Sequence, residues 1–218
     1  AQFRAAFESR ILPALRNFGP DIVLISNDMN KITEQLTTAK PDITVWTGAM
    51  ANTLDDVYAQ ITDLGKVTGH DTEAAALITK MKADLAAATA GVTAPEGASY
   101  YYELDNTYYS LTSNTFVGSL LKSTGIANIA DGVEAGNDWP QLNAESIIKS
   151  NPSVIFLADT KCCQQDAKAV SARAGWNGID AVKNARVVAL DDDIASRWGP
   201  RIVDLVKQMV AAVASLAK

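Results

Sequence analysis

Residues 71–90 constrain the fold most, because they contain neither Gly nor Pro and consist mainly of strong helix formers. Their large apolar residues follow the spacing of one helical face, at Leu77, Ile78, Met81 and Leu85. We expect Asp71 to cap the helix, with Glu73 in a first turn that favours anions, and Gly91 and Pro95 to end it. A helix of about 20 residues is roughly 30 Å long, enough to act as a spine between two lobes.

Strand and helix patterns alternate on both sides of this spine helix, which predicts parallel sheets covered by helices. The predicted strands are 21–26, 42–47, 98–104, 153–158 and 186–190. The predicted helices besides the spine are 3–17, 29–38, 53–65, 114–124, 143–150, 166–172 and 199–217. We therefore predict an α/β fold of two lobes joined by a long spine helix: a reduced first lobe at 1–69, the spine at 70–93 and a second lobe at 94–218. The alternative is that residues 71–90 form a layer helix of a single sheet.

The first lobe shows only two evident strands, 21–26 and 42–47, for several helices. Two strands cannot easily cover so many helices, so we expect exposed apolar surface there, or a homodimer that hides it.

Composition excludes several classes of protein. The 218 residues carry a net charge of −6 and no basic run, which argues against non-specific nucleic-acid binding. No apolar run approaches the roughly 20 residues of a membrane span. No signal-peptide pattern opens the sequence, so we expect a chain that is mature, truncated or made without one.

Catalytic motifs are missing from the sequence. The single histidine, His70, sits near the predicted start of the spine, where a solvated role is expected, and it offers no evident triad or relay. Nucleophile-elbow, P-loop and dinucleotide-binding glycine patterns are absent. Asp191, Asp192 and Asp193 follow a predicted strand, so we expect loop and helix-start carboxylates rather than a divalent cation site. The sequence predicts no enzyme, no catalytic residue, no cofactor and no metal.

The two cysteines are neighbours, Cys162 and Cys163, on a predicted loop. Metal sites need spaced thiolates, which this pair does not provide. Two interpretations remain: a strained vicinal disulfide, which export would favour, or two reduced thiols.

Aromatic residues give the strongest indication of a binding surface. Rings fall in loops or at element ends, at Trp46, Tyr108, Tyr109, Trp139 and Trp198. Ligands of open α/β sheets bind at the carboxyl ends of the strands, and flat rings offer stacking surfaces there. Arg197, beside Trp198, adds a cation for an acidic group on the ligand. We predict a wide cleft lined by aromatic side chains.

From about residue 20 onward the sequence resembles the class III substrate-binding proteins of ABC importers for vitamin B12 and ferric siderophores. The matching phrases are 53–69, 114–121, 139–148 and 196–201. The resemblance implies two α/β lobes joined by one rigid helix, a large flat ligand such as cobalamin or a ferric siderophore, and delivery to an ABC permease. It also implies that Trp139 packs on the ligand and that Glu145 docks onto a permease arginine. The parent family is extracytoplasmic.

The first residues depart from that family. Residues 3–25 resemble a helix–strand unit of histone-deacetylase-like amidohydrolases, but the Gly-Phe-Asp turn that binds zinc there is replaced by Ser26-Asn27-Asp28-Met29. Pro13 stands where the importer proteins carry their first-lobe docking glutamate, so we expect no import by a cognate transporter. Either a recombined chimera or a truncated natural homologue accounts for these departures from the family. If the chain is engineered, we expect it to be cytoplasmic in its expression host.

Three functional hypotheses follow. The first is a non-catalytic solute-binding protein, impaired by an incomplete first lobe. The second is a chimeric scaffold without binding or transport activity. The third, a deacetylase-like hydrolase, fails because one histidine cannot furnish its zinc site.

Overall fold

The computed structural model describes residues 7–217 as an α/β protein with two parallel sheets. Its helices are α1 (Leu12–Phe18), α2 (Ile32–Ala39), α3 (Leu54–Thr68), α4 (Asp71–Thr89), α5 (Phe116–Ser119), α6 (Ala144–Ser150), α7 (Ala167–Ser171), α8 (Asp180–Lys183), α9 (Asp192–Ser196) and α10 (Ile202–Ala214). Its strands are β1 (Ile22–Ile25), β2 (Thr44–Thr47), β3 (Ser99–Glu103), β4 (Ala127–Asn128), β5 (Val154–Leu157) and β6 (Val187–Ala189). Short turns of other helical types add Phe7–Ile11 (π) and Lys122–Thr124, Trp176–Gly178 and Ser215–Ala217 (3-10).

The two sheets differ in size. One pairs β1 with β2, with Ile22 opposite Thr44. The other has the order β4–β3–β5–β6, and every pair in it is parallel. All four residues of β5 are buried, because helices cover both faces of this sheet. The prediction of an α/β fold with parallel sheets is confirmed.

The predicted spine is α4, whose 19 residues make it the longest helix in the described part of the chain. Its N-cap is His70 rather than Asp71, so the predicted cap was wrong. The reason lies at the end of α3. Gly69 adopts a left-handed conformation (φ 72°) and His70 N donates to Gly65 O (2.7 Å), so the chain has already turned when Asp71 begins the next helix.

Tight packing fixes α4 against its neighbours α3 and α10. A Cβ added to Gly65 would lie 2.6 Å from the Cβ of Ala74, so only glycine permits this crossing. On the other side, Lys207 Nζ of α10 lies 3.1 Å from Asp84 Oδ2. Met81 and Leu85 share one buried core with residues of β3 and β5, so the spine also covers one face of the larger sheet.

The predicted helix 114–124 is broken in the structure. It contains α5, one turn long, followed by the 3-10 turn. Thr115 caps α5 by accepting from Gly118 N (3.1 Å), and a Cβ on Gly118 would lie 2.1 Å from Thr112 O. This close approach of the preceding loop leaves no room for a longer regular helix. The short strand β4 and helix α8 were not predicted from the sequence.

The segment before β1 is a π-helical turn followed by α1, with Pro13 in the first turn, where its missing N–H is tolerated. The predicted helix began at residue 3, and residues 3–6 lie outside the described part. Leu36 and Ile43 are the buried centre of a small separate core under this sheet. The domain boundaries proposed from the sequence stay a prediction.

Large apolar side chains are exposed on and around the small sheet, as expected for two strands against several helices. Phe18 is 86% exposed and Leu24, in the middle of β1, is 56% exposed. Met29 and Met50 are exposed as well. This surface is the part of the molecule that a homodimer would cover.

We expect the chain to self-associate through this apolar surface as its concentration rises. Changing Phe18 and Leu24 together to Ser should shift the equilibrium toward monomer, measured by sedimentation velocity at several concentrations. Val133→Ser, which removes an exposed apolar side chain from the other lobe, is the control and should leave association unchanged. A wild-type chain that stays monomeric at the highest concentration contradicts the dimer.

Candidate functional site

Four loops follow the strands of the larger sheet and form one surface, here called the carboxyl edge. They are residues 104–115, 129–143, 158–166 and 190–201, which follow β3, β4, β5 and β6. Because all four strands are parallel, their carboxyl ends lie along the same side of the sheet. Five of the six sequence-predicted ligand residues lie in these loops.

The loops after β3 and β4 are joined by a short antiparallel ladder. Ser110 N donates to Pro140 O (2.9 Å), and residues 109 and 141 form a bridge. Exposed and buried residues alternate along 139–143, and Tyr109 lies opposite Gln141, so Tyr109, Gln141 and Trp139 share the side that faces away from the buried Ser110 and Pro140. Tyr109 is 41% exposed and Trp139 is 46% exposed. The ladder therefore places these two aromatic rings on one face.

Tyr108 points the other way, and its role is packing. Its backbone has φ 71°, a left-handed conformation uncommon for a bulky residue. The ring stacks on that of Trp176, with centroids 5.7 Å apart and planes at 26°. The structure thus separates the neighbours Tyr108 and Tyr109, and only the second faces solvent.

A cavity of about 340 Å³ lies at the carboxyl edge, and we call it the cavity beside Trp139 because the two residues before Trp139 line it, although Trp139 itself does not. Its lining is Thr112, Asn114, Asp131, Gly132, Glu134, Ala135, Gly136, Asn137 and Asp138. Asp138 Oδ1 accepts from Thr112 Oγ1 (2.6 Å) and Asn114 Nδ2 (3.2 Å), and these bonds hold the pKa of Asp138 below its usual value. Three carboxylates and two amides therefore line this cavity.

Arg197, the predicted cation, and Trp198, one of the predicted rings, already interact with other residues of the protein. Arg197 Nη1 lies 3.2 Å from Asp193 Oδ1, although its side chain is 81% exposed. Trp198 donates from Nε1 to Ala195 O (3.0 Å) and packs edge-on against Phe116, with centroids 4.7 Å apart. Trp46 lies at the other sheet, where its ring folds over Gly48.

The aspartate run organises the loop after β5. Asp191 caps α9, and Asp192 accepts from the backbone N–H groups of Thr160 (2.9 Å), Lys161 (2.8 Å) and Cys162 (3.0 Å). Lys161 Nζ pairs with Asp191 and Asp193. The expectation of loop and helix-start carboxylates agrees with this geometry. No three His, Cys, Asp or Glu side chains within residues 7–217 are grouped closely enough to hold a metal ion.

Cys162 and Cys163 are free cysteines in this structure, so the vicinal disulfide is not formed in it and its closure stays a prediction. His70 is solvated, with Nδ1 at 3.7 Å from Glu73 Oε1, and its side chain makes no capping bond. Glu145 is exposed in the first turn of α6.

A buried polar cluster at the carboxyl ends of β3 and β5 was missed by the sequence analysis. Arg173 donates twice to the fully buried Glu103 (both 2.6 Å) and once to Gln165 Oε1 (2.7 Å), and its guanidinium lies over the Trp176 ring. Asp159 is buried next to this pair, and within the described residues neither of its carboxylate oxygens has a hydrogen-bond partner. The only signal in the sequence for this buried cluster was an acidic residue directly after an apolar strand.

Comparison with known proteins gives a consistent result. A family described as "Periplasmic binding protein" matches residues 14–194, a range that overlaps the segment 3–25. An uncharacterized ABC transporter substrate-binding lipoprotein of Bacillus subtilis (strain 168) is 31% identical over 201 residues, which cover 89% of this chain and 62% of that protein. A cobalamin-binding protein of Halobacterium salinarum (strain ATCC 29341 / DSM 671 / R1) is 29% identical over 205 residues, covering 91% of this chain and 54% of that protein.

Among solved structures, a possible iron-binding (periplasmic solute-binding) protein from Staphylococcus epidermidis ATCC 12228 superposes with a TM-score of 0.75. Its identity is 23%, and the match covers 93% of this chain and 79% of that one, so the shared property is the fold. The chain thus spans between half and two thirds of the length of the curated relatives it matches.

Asp159 should make stability fall as pH rises. Burial, and then the charge of Glu103, raise the pKa of Asp159 to about 7, whereas the unfolded chain releases this proton near pH 4. The folded state therefore binds the extra proton between about pH 4 and 7, and stability is lost across that window. Asp159→Asn should flatten this loss and be more stable than wild type at pH 8 by roughly 2–4 kcal/mol, measured by urea denaturation.

The exposed Asp63→Asn is the control, and its pH profile should follow that of the wild type. Equal effects of Asp159→Asn on stability at pH 4 and pH 8 would contradict the raised pKa, because they would mean that folding does not shift the pKa of Asp159.

Proposed function

This chain belongs to the periplasmic binding protein family, and from that premise we propose that it captures a large flat ligand of the cobalamin type for an ABC importer. It is a solute-binding protein and not an enzyme. The ligand, the importer and a location outside the cytoplasm are proposals, supported by what the B. subtilis and H. salinarum relatives are named for. Across residues 7–217, no helix has both the length and the apolar character of a membrane-spanning segment.

The observation that carries the proposal is the outward face formed by Tyr109 and Trp139 beside an acid-lined cavity. Two rings on one face suit a planar macrocycle, because stacking on aromatic faces needs no directional polar partner. The amides of Asn114 and Asn137 can exchange hydrogen bonds with the amide side chains of a corrinoid.

Charge distinguishes among the ligands expected for this family. The cavity beside Trp139 carries Asp131, Glu134 and Asp138. Two cations of the carboxyl edge, Lys161 and Arg197, are paired with aspartates, and a third, Arg201, lies exposed at the end of the loop after β6. A carboxylate-bearing haem or an anionic ferric catecholate would meet like charge here, which disfavours binding. Cyanocobalamin, uncharged overall, does not meet this penalty.

A second candidate is a chimeric scaffold that keeps the fold without binding. The two-stranded first sheet, with its exposed apolar residues, favours this alternative, because a cleft needs both lobes. The overlap of the family match with residues 14–25 weighs against a foreign origin for that part of the segment.

Calorimetric titration with cyanocobalamin separates the two candidates. We expect saturable binding, with haemin at least about ten-fold weaker, and a loss of about ten-fold or more in affinity for Trp139→Ala, since a ring of this size supplies over 1 kcal/mol by stacking and burial. Phe18→Ala removes an exposed ring of the first lobe and should bind as wild type does.

Absence of saturable heat up to millimolar cyanocobalamin would leave the scaffold as the explanation. Equal losses in Trp139→Ala and Phe18→Ala would contradict the placement of the ligand at the carboxyl edge.

Glu145 is the docking residue we propose for the second lobe. Asn143 and Ser146 form a capping box that fixes the start of α6, so the exposed Glu145 carboxylate is held on a rigid turn. The first lobe offers Pro13, without charge or donor, at the position of the family's other docking carboxylate.

Docking should therefore respond to both positions. With a cobalamin-class ABC importer in liposomes, Glu145→Arg should lower the stimulation of ATPase activity by the ligand-loaded chain, whereas Pro13→Glu should raise it. Rim charges of this kind mainly change the encounter rate, so effects of about two- to ten-fold are expected, larger at low salt. Glu96→Arg, an exposed reversal elsewhere on the second lobe, should have no effect. Unchanged stimulation in both docking variants would overturn the assignment.

A further inference from the structure

The neighbouring cysteines lie in the loop after β5 and have no part in the proposed ligand binding. Cys162 is exposed and Cys163 is half-buried, and their sulfur atoms are 2.7 Å apart. Adjacent cysteines usually turn their side chains to different sides of an extended chain. The loop must therefore hold an unusual local conformation for both thiols to meet.

Hydrogen bonds on each side of the pair fix that conformation. Asp192 accepts from Cys162 N and from the two N–H groups before it, and the Thr160 hydroxyl also donates to Asp192 (2.6 Å). Beyond the pair, Cys163 N donates to Asp159 O (3.2 Å), and Gln165 Nε2 donates to Cys163 O (2.9 Å). One carboxylate of α9 and one carbonyl of the β5 end thus hold the two thiols together.

We propose that Cys162 and Cys163 form a reversible dithiol–disulfide couple, a modification site for low-molecular-weight disulfides. One cysteine thiolate attacks a sulfur of the reagent, forming a mixed disulfide and releasing the first thiol. The second cysteine then attacks the mixed disulfide, closing the ring and releasing the second thiol. The protein loses two electrons and two protons, and one reagent disulfide becomes two thiols.

The closed form is expected to be easily reduced. Adjacent Cα atoms are about 3.8 Å apart, below the 4.4–6.8 Å usual for disulfides, so the eight-membered ring is strained. The hydrogen bond between the two thiols raises the pKa of Cys162. Because either sulfur can be the donor of that bond, the first attack is open to both cysteines, and the other one closes the ring.

Ring closure is tested on the full chain with oxidised glutathione as the probe. After acid quenching and alkylation with N-ethylmaleimide, the intact wild-type mass should show no maleimide, no glutathione and the loss of two hydrogens. Cys162→Ser should instead keep one glutathione, because no second thiol can displace it. Reduced glutathione in millimolar excess should restore two alkylatable thiols in the wild type.

Three results would overturn the proposal. These are two alkylatable thiols after exposure to the oxidant, a stable glutathione adduct on the wild type, or disulfide-linked dimers. Each of them is read from mass and is independent of whether any corrinoid binds.

The role of Asp192 as a positioning residue is tested by the rate of the second step. Asp192→Ala should close the ring about ten-fold more slowly, so that the mixed disulfide accumulates, because the thiols lose their preorganised geometry. The exposed Asp63→Ala is the control and should close as fast as wild type. Circular dichroism shows whether Asp192→Ala is folded. Cys163→Ser, which leaves every bond to Asp192 in place, should keep one glutathione at Cys162, as Cys162→Ser does at Cys163. Equal closure rates in folded Asp192→Ala and wild type would contradict the positioning role.

Discussion

The four-stranded parallel sheet is the constraint on which the rest of the structure depends. A parallel pair needs a long crossover, so every strand of this sheet must be followed by a segment that crosses one face before the next strand begins. β3 and β5 are consequently buried between two helical layers, and their sequences are almost entirely apolar or aromatic. The same constraint collects all four following loops at one edge, which is where the exposed rings of Tyr109 and Trp139 lie.

Charges at that edge fall into two groups with different physical roles. Glu103 and Arg173 form a buried ion pair joined by two hydrogen bonds. Removing either side chain would leave an uncompensated buried charge. Asp191, Asp192 and Asp193 instead organise a solvated loop through backbone N–H groups and through Lys161 and Arg197. Because these cations are used within the protein, the acidic cavity beside Trp139 sets the electrostatic character that a ligand meets.

The spine helix follows α3 in the chain, leads to the start of β3 and packs against α3 and α10. It shares one core with α3 and with the larger sheet, whereas Leu36 and Ile43 form a separate small core. A two-stranded sheet is at most marginally stable alone, so the exposed Phe18 and Leu24 are the physical consequence of its size. The solute-binding role that we propose therefore rests mainly on the four-stranded sheet and the loops that follow its strands.

The sequence alone determined the elements whose signals are local. Helix propensity and the spacing of Met81 and Leu85 predicted the spine, and short β-branched runs predicted five of the six strands. Trp139 was predicted as a ligand residue because it stands outside any apolar periodicity and within a family phrase. With one histidine, His70, and none of the common catalytic motifs, the sequence predicted no enzyme.

Tertiary structure decided which way each side chain points and which charges meet. Tyr108 and Tyr109 look alike in sequence, but the ladder between residues 109 and 141 sends one inward and the other outward. Arg173 lies 70 residues from Glu103, and their bond depends on a fold that no local pattern records. The periodicity of apolar residues depends on the burial of a whole face, so it could be read from the sequence. A single contact between side chains depends on loop geometry, which the sequence pattern does not record, so these contacts could not be predicted.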